Sequence, residues 1–218
     1  MPYALLGREE FTARTRRWAD FAGRKKSTDA DEYETAAREF CEESVHCVTL
    51  DGVETNTVEA VAKHLRAQNF VLRLVIEKAS KGKRILFVVM AQYDRGLVQR
   101  FAAVRAAHMH LERFTQRSVG NFSRWWLPGT VVDGQTGRAM VLPDYYEKSA
   151  LQYWGFDDLG LAVQNSGTIP YTARNPAAYF RLDMIPVLNA TLPILTDGSL
   201  MAQLSFSGAV ATCPWRPS

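Results

Sequence analysis

Apolar residues follow two rhythms along this chain, and the changes between them divide it into elements. The run "YALLG", residues 3–7, reads as a strand, and "WADFAG", residues 18–23, as a short strand ending at Gly23. From about Asp31 to Ser44 the period becomes helical, with Tyr33, Ala36, Ala37 and Phe40 forming one apolar stripe. Asp29, three residues ahead of Glu32, has the spacing of a capping box. "HCVTL", residues 46–50, reads as a strand, and "TNTVEAVAKHLRAQ", residues 55–68, as a short helix capped by Asn56 or Thr57.

Two β-rich runs follow, "FVLRLVIEK" and "RILFVVMAQY", and the short Gly-containing "ASKGK" between them predicts a hairpin. "GLVQRFAAVRAAHMHLERF", residues 96–114, carries Leu97, Phe101, Val104, His108 and Leu111 along one helical face. Residues 118–143 are loop-rich, with "LPG" and "DGQTG" turns, and "ALQYWGFDDLG" reads as a strand running into a helical turn. The tail holds two strand candidates, "MIPVLNATLPIL" and "LMAQLSFSGAV", joined by the turn "TDGS". There is no internal repeat and no low-complexity segment. Mixed helices and strands point to an α+β or α/β class.

Bulk properties narrow the function classes. With 218 residues, 47% of them hydrophobic, the chain can bury a sizeable core. A net charge of +3 demands no polyanionic partner, but the charge is uneven. Arg14, Arg16, Arg17, Arg24, Lys25 and Lys26 lie close together against the single acid Asp20, a solvated patch that would also attract phosphates. Cys41, Cys47 and Cys213 are odd in number and lack ligand spacing, as expected of reduced thiols in an intracellular, cytoplasmic or nuclear protein. The first residues lack a secretory signal, and no apolar run approaches the roughly 20 residues that span a bilayer.

The chemistry concentrates in "DADEYETAAREFCEES", residues 29–44. On a helix, Glu39, Glu42 and Glu43 stand at i, i+3 and i+4. Like charges so arranged are tolerated on a wet surface or around a divalent cation, which prefers carboxylate oxygen. "REFCEES", with Arg38, Glu39, Phe40, Glu42 and Glu43, resembles the core of the Nudix box, the signature G-x5-E-x7-R-E-U-x-E-E-x-G-U with U a bulky apolar residue. "ALLGRE" looks like the strand before the box, "WADFAG" like the Trp-x-Asp-Phe turn entering it, and "EKSALQYWGFDDL", residues 147–159, like the late strand leading into the closing helix. The resemblance covers roughly residues 3–160. It implies a Nudix-like mixed-sheet sandwich between helices over residues 1–160, with a β-rich C-terminal extension, residues 161–218, packed on or completing the sheet.

The same resemblance implies a metal-dependent hydrolase of diphosphate linkages using Mg²⁺ or Mn²⁺. Glu42 and Glu43 would ligate the metal, Glu39 would be ligand or general base, Arg38 would orient the carboxylates, and the Gly23 carbonyl would complete the site. Glu147 lies where some members carry a further acid, although a surface Glu beside Lys148 is the plainer account. Arg38 could equally be an intrahelical partner of Glu34 or Glu42. Arg17, Arg24, Lys25 and Lys26 flank the site and suit phosphates, so the substrate would be a dinucleoside polyphosphate, a nucleotide sugar, or a capped or triphosphorylated RNA end.

The chain departs from the signature. Counting back from Arg38, the first box Glu falls on Ala30; counting on from Gly23, Asp29 takes its place with one residue extra before Arg38. In the family that Glu braces the Arg, whereas Asp29 here reads first as a helix cap. Ala22 replaces a Gly, Val45 replaces the Gly after the acids, His46 replaces the closing apolar residue, and the strand before "ALLG" is missing. These losses define the alternative, a Nudix-like domain without hydrolysis that binds RNA or protein, with the tail a possible homodimer interface.

Other residues read more simply. His108 and His110, two apart on a helix, make a poor metal pair; His64 reads as exposed and Cys41 as a packing residue. Trp125, Trp126, Tyr145, Tyr146, Tyr153 and Trp154 are numerous enough to stack on a base, but aromatics in such segments usually build core.

Overall fold

The structure, a computed structural model, describes residues 3–10, 16–53, 57–67, 71–77, 83–91, 93–118, 130–132, 139–141, 147–170, 177–197 and 210–213. For residues 10, 16, 77, 108–118, 130–132, 139–141 and 210–213 it describes the backbone alone. In chain order come β1 (Tyr3–Glu10), β2 (Arg16–Ala19), α1 (Glu32–Ser44), α2 (Val58–Ala67), β3 (Val71–Glu77), β4 (Lys83–Val89), α3 (Leu97–Ser118) and β5 (Thr130–Val132). They are followed by β6 (Ala139–Val141), β7 (Lys148–Gly155), α4 (Phe156–Gln164), β8 (Thr168–Ile169), β9 (Ala178–Tyr179), α5 (Met184–Thr196) and β10 (Val210–Cys213).

The molecule is of the α+β class. β1 lies between β2 and β7 in an antiparallel sheet, and β3 lies between antiparallel β4 and parallel β10 in a second sheet. Successive side chains of β1 point to opposite faces. Leu6 therefore joins Trp18, Trp154, Leu159, Phe180, Met184 and Leu188 on one side, while Leu5 joins Leu97, Phe101 and Leu151 on the other. A strand covered on both faces reads as a continuous apolar run, which accounts for "YALLG". α1 lies between the two sheets: Phe40 packs toward the first beside Phe21, while Ala37, Cys41 and Tyr33 pack toward β3, β4 and α2.

The hairpin of β3 and β4, α2 with the Thr57 hydroxyl accepting from Ala60 N, α3, and the β7–α4 passage follow the sequence pattern. Four expectations are corrected. The N-cap of α1 is Asp31, not Asp29; Asp31 accepts from Glu34 N, and Glu34 reaches back to Ala30 N. "WADFAG" leaves the sheet at Ala19, so Asp20 to Ala30 form the loop that turns into α1. "HCVTL" forms no strand, only a bridge from Leu50 to Ala91, because Val45 and His46 both take left-handed backbone (φ 51° and 55°) and reverse the chain.

The largest correction concerns the tail. "MIPVLNATLPIL" is helical: Met184, Val187, Leu188, Thr191 and Leu192 are buried at i, i+3, i+4, i+7 and i+8 of α5. Its β-branched residues and its prolines read as strand, yet Pro186 falls in the first turn, where no intrahelical amide donor is needed, and Pro193 near the end. The extension is therefore not simply β-rich. α4 and α5 together cover one face of the first sheet, Phe180 bridges to Trp18 beside β2, and β10 adds to the second sheet. The proposed strand at 200–209 lies outside the described residues, as do the "LPG" and "DGQTG" turns.

Candidate functional site

The loop from Asp20 to Ala30 runs alongside α1 and brings Ala22 and Gly23 against its acidic side. Glu43 Oε2 accepts from Ala22 N at 3.0 Å. At Gly23 a side chain is impossible without movement: a Cβ there would stand 1.9 Å from the Glu39 carboxylate. The glycine is thus a seat for Glu39. Glu39, Glu42 and Glu43 do not share one environment. Glu39 and Glu43, one turn apart, are 8% and 4% exposed, whereas the Glu42 side chain is about a third exposed (34%) and turns toward Lys26 at 3.6 Å.

Arg38 organises the outer side of the site. Its Nη1 donates to Glu39 Oε1 at 2.7 Å and Glu42 Oε2 at 3.2 Å, and its Nη2 to the Arg24 carbonyl at 3.0 Å. Nε and Nη2 donate to the two oxygens of Asp29. Asp29 is thus a brace for Arg38 rather than a cap. Glu34, the other candidate partner, pairs instead with Arg66 at 3.3 Å.

Two residues that sequence reasoning missed sit on the inner side. Lys148 begins β7 opposite Glu9 of β1, and its ammonium reaches Glu9 Oε1 at 3.0 Å and Glu43 Oε1 at 3.3 Å. Glu9, Glu43 and Lys148 are all buried. The period-2 alternation through Leu5 and Gly7 put Glu9 on the α1 side of β1, but no local signal joins residues 139 apart. Glu147 is half-buried rather than a plain surface residue, and its charge bears on both Glu39 and Glu43.

Burial dominates the electrostatics. Desolvation pushes the Glu43 carboxyl up to about 9, against the pull of Lys148 and helped by Glu147. Glu39 is also raised by burial, with Arg38 opposing and Glu42 and Glu147 adding to the rise. Glu43 Oε1 lacks a hydrogen bond of good geometry; Lys148 stands 3.3 Å from it as an ion pair, and Glu147 is a second close neighbour of the carboxyl. Among the described residues, no group of three His, Cys, Asp or Glu side chains closes around one point as a metal cage. Each of the three helix carboxylates instead has a cationic neighbour: Arg38 for Glu39 and Glu42, Lys148 for Glu43.

The remaining candidates separate. Arg24, Lys25 and Lys26 are exposed on the turn beside Gly23, with Lys25 donating to the Ala30 carbonyl, and Arg17 stands on β2 opposite Glu9. His64 is half-buried, not exposed, and burial lowers its pKa. Cys41 is buried core. Trp154 is core, and the Tyr153 hydroxyl accepts from Asp94 N. Trp125, Trp126, Tyr145 and Tyr146, the side chains of His108 and His110, and Arg14 lie outside the described residues. A cavity of about 310 Å³ opens between residues 47–49 and 93–97, and neither Glu39, Glu42, Glu43 nor Glu147 lines it. Among the described residues, no helix is long and apolar enough to cross a membrane.

No family model, no curated protein and no solved structure matches this chain.

Proposed function

We propose that this protein is a Nudix-type, divalent-cation-dependent hydrolase of a phosphoanhydride bond in a nucleotide derivative. The observation that carries the reading is Glu43: a buried carboxylate with one oxygen that accepts no hydrogen bond, beside Glu147 and one turn from Glu39 on its Gly23 seat. A buried carboxylate oxygen without a hydrogen bond is costly; the Lys148 ammonium at 3.3 Å offsets part of that cost, and a divalent cation would offset more of it. The donor set, carboxylate oxygens beside a backbone turn, suits hard Mg²⁺ or Mn²⁺. The ion would neutralise diphosphate charge and ease ionisation of an attacking water.

The chain's own residues would divide the work. Glu43 and Glu42 would hold the ion, Glu42 turning from Lys26 to do so, with Glu147 as a further acid. Glu39, whose proton affinity is raised by burial and by its acidic neighbours, takes the proton of the water. Arg38, braced by Asp29, keeps Glu39 and Glu42 in register with the loop. Lys25 and Lys26, beside Arg24 on the exposed turn, draw the phosphates in.

The test is incubation with Mg²⁺ or Mn²⁺ and a panel of dinucleoside polyphosphates, nucleotide sugars and capped RNA. Metal-dependent turnover is expected, falling at least about 100-fold in Glu39→Gln and Glu43→Gln. Absence of turnover on every substrate overturns the reading. One observation favours a second reading, a Nudix-like binding module without hydrolysis: Arg38 and Lys148 already supply cations to the box glutamates. Binding of RNA or protein unaffected by metal, with no turnover, would establish it.

A further inference from the structure

Lys148 is the most deeply buried cation described, its side chain fully enclosed. An ammonium in such a place is retained only where carboxylates compensate its lost hydration. Its route is specific. The aliphatic stem lies across Gly7, where a Cβ would stand 2.6 Å from Lys148 Cδ, so β1 must carry glycine at that position for the lysine to reach inward. The ammonium then meets Glu9 Oε1 at 3.0 Å and Glu43 Oε1 at 3.3 Å.

Glu9 does not belong to Lys148 alone. The same oxygen accepts from Arg181 Nη1 at 2.9 Å, and Arg181 is itself fastened to Asp183. Two cations thus converge on one oxygen of Glu9, which leaves part of the lysine's charge to act on Glu43. Glu43, Lys148, Glu9 and Arg181 form a continuous chain of alternating acids and bases, which Asp183 extends. That chain ties the turn before α5 to the carboxylate proposed to hold the ion.

We propose that Lys148 is a tethered counter-ion which competes with the divalent cation for Glu43, so that the charge at position 148, buffered through Glu9 by Arg181, sets the metal affinity of the site. The proposal rests on the reading of Glu43 as a metal ligand. It accounts for two features together: the carboxylate keeps an oxygen without a hydrogen bond, yet the fold tolerates its burial. A divalent ion gains Glu43 by outcompeting an ammonium that cannot leave. The site therefore favours ions of high charge density and holds them more weakly than its carboxylates alone would.

The experiment measures Mn²⁺ binding to the full chain by calorimetry at fixed ionic strength. Lys148→Gln is compared with wild type, with Arg181→Gln, and with Lys63→Gln, which removes an exposed lysine on α2 and controls for net charge. Lys148→Gln is expected to tighten Mn²⁺ binding at least about tenfold, Arg181→Gln by a smaller factor, and Lys63→Gln by less than about twofold. Unchanged or weaker binding in Lys148→Gln, or the same gain in Lys63→Gln, overturns the proposal. Lys148→Gln should also show a larger Mn²⁺-dependent rise in Tm than wild type. A Lys148→Gln chain that stays unfolded at saturating Mn²⁺ overturns the proposal too, since the ammonium is then not replaceable by the ion. Tighter Mn²⁺ binding in Lys148→Gln without hydrolysis in wild type sinks the hydrolase reading alone. Hydrolysis with metal affinity indifferent to residue 148 sinks this proposal alone.

Discussion

Asp29 grips Arg38 through both carboxylate oxygens, Oδ1 accepting from Nε at 3.0 Å and Oδ2 from Nη2 at 2.9 Å. Oδ2 also accepts from Lys26 N and from the Thr35 hydroxyl, so the acid ties the loop to α1 as well as bracing the arginine. The pair is nearly dry, with side chains 5% and 12% exposed. Removing the charge in Asp29→Asn is expected to cost roughly 2–3 kcal/mol, below the ~3–5 of an isolated buried pair because Arg38 keeps Glu39 and Glu42. Urea unfolding reads this as a lower midpoint at constant slope. An unmoved midpoint would show the brace to be dispensable.

The same pair sets an acid limit. The bonds from Arg38, then the Lys26 amide, hold the Asp29 carboxyl well below the usual carboxylate range, against the effect of burial. A depressed folded-state pKa means that the unfolded chain takes up the proton first. The contribution is therefore complete above the unfolded value near pH ~4 and is lost as the pH falls through the folded one. The stability difference between wild type and Asp29→Asn should be constant from about pH 7 to 5 and shrink below about 4. A gap that persists undiminished to pH ~2 would mean that charge is not its source.

Gly23 makes a separate demand on the site. A methyl group there overlaps the Glu39 carboxylate, at 1.9 Å from Cδ and from Oε1, so Gly23→Ala must move either the loop or the glutamate. Glu39 is the group proposed to take the water proton, and displacement by even ~1 Å costs on the order of 100-fold in rate. Gly23→Ala is expected to lower kcat by about that factor while leaving the unfolding free energy from urea titration within about 1 kcal/mol of wild type. Full activity in Gly23→Ala would remove Glu39 from the catalytic role.

How much of this was legible in the sequence depended on distance along the chain. The helix with Glu39, Glu42 and Glu43, the β3–β4 hairpin and the β7–α4 passage carry local periodicity and were readable. The brace between Asp29 and Arg38 was hidden by competition: an acid just ahead of a helix is first a cap, and only the capture of that place by Asp31 frees Asp29 for the arginine. Glu9 and Lys148 were out of reach, since pairing across 139 residues depends on sheet register. α5 misled for a different reason, because Val187, Ile194 and two prolines favour extended backbone locally and the packed tryptophans override them.

The two described thiols should be inert. Burial pushes Cys47 up to about 11, with Arg100 opposing, and Cys41 up to about 12, with Glu42 and Glu59 adding to the rise. Alkylation proceeds through the thiolate, which at neutral pH is then a fraction of order 10⁻⁴ or less. Iodoacetamide at pH ~7.5 should modify both at under about 1% of their rate in urea, as read by peptide mass mapping. Rapid native labelling of Cys47, which lines the 310 Å³ cavity, would mark it as reactive.

The boundary near residue 160 yields the last prediction. Trp18 and Trp154 meet edge to face at 5.3 Å, and Phe180 closes on Trp154 at 5.2 Å. The other side of that cluster is built by Ala162, Ile169, Met184, Leu188 and Leu192, all beyond residue 160. Ending the chain there would expose both indoles and one face of the first sheet, an apolar patch too large for a soluble monomer. It would also remove Arg181, which shares Glu9 with Lys148. The 1–160 chain is thus expected to lose near-ultraviolet dichroism and to emit at the red-shifted wavelength of solvated tryptophan. Leu188→Ala in the full chain should cost about 2–5 kcal/mol by the same packing argument. Native-like spectra from 1–160, with a mild Leu188→Ala, would instead make the tail an accessory to a domain that stands without it.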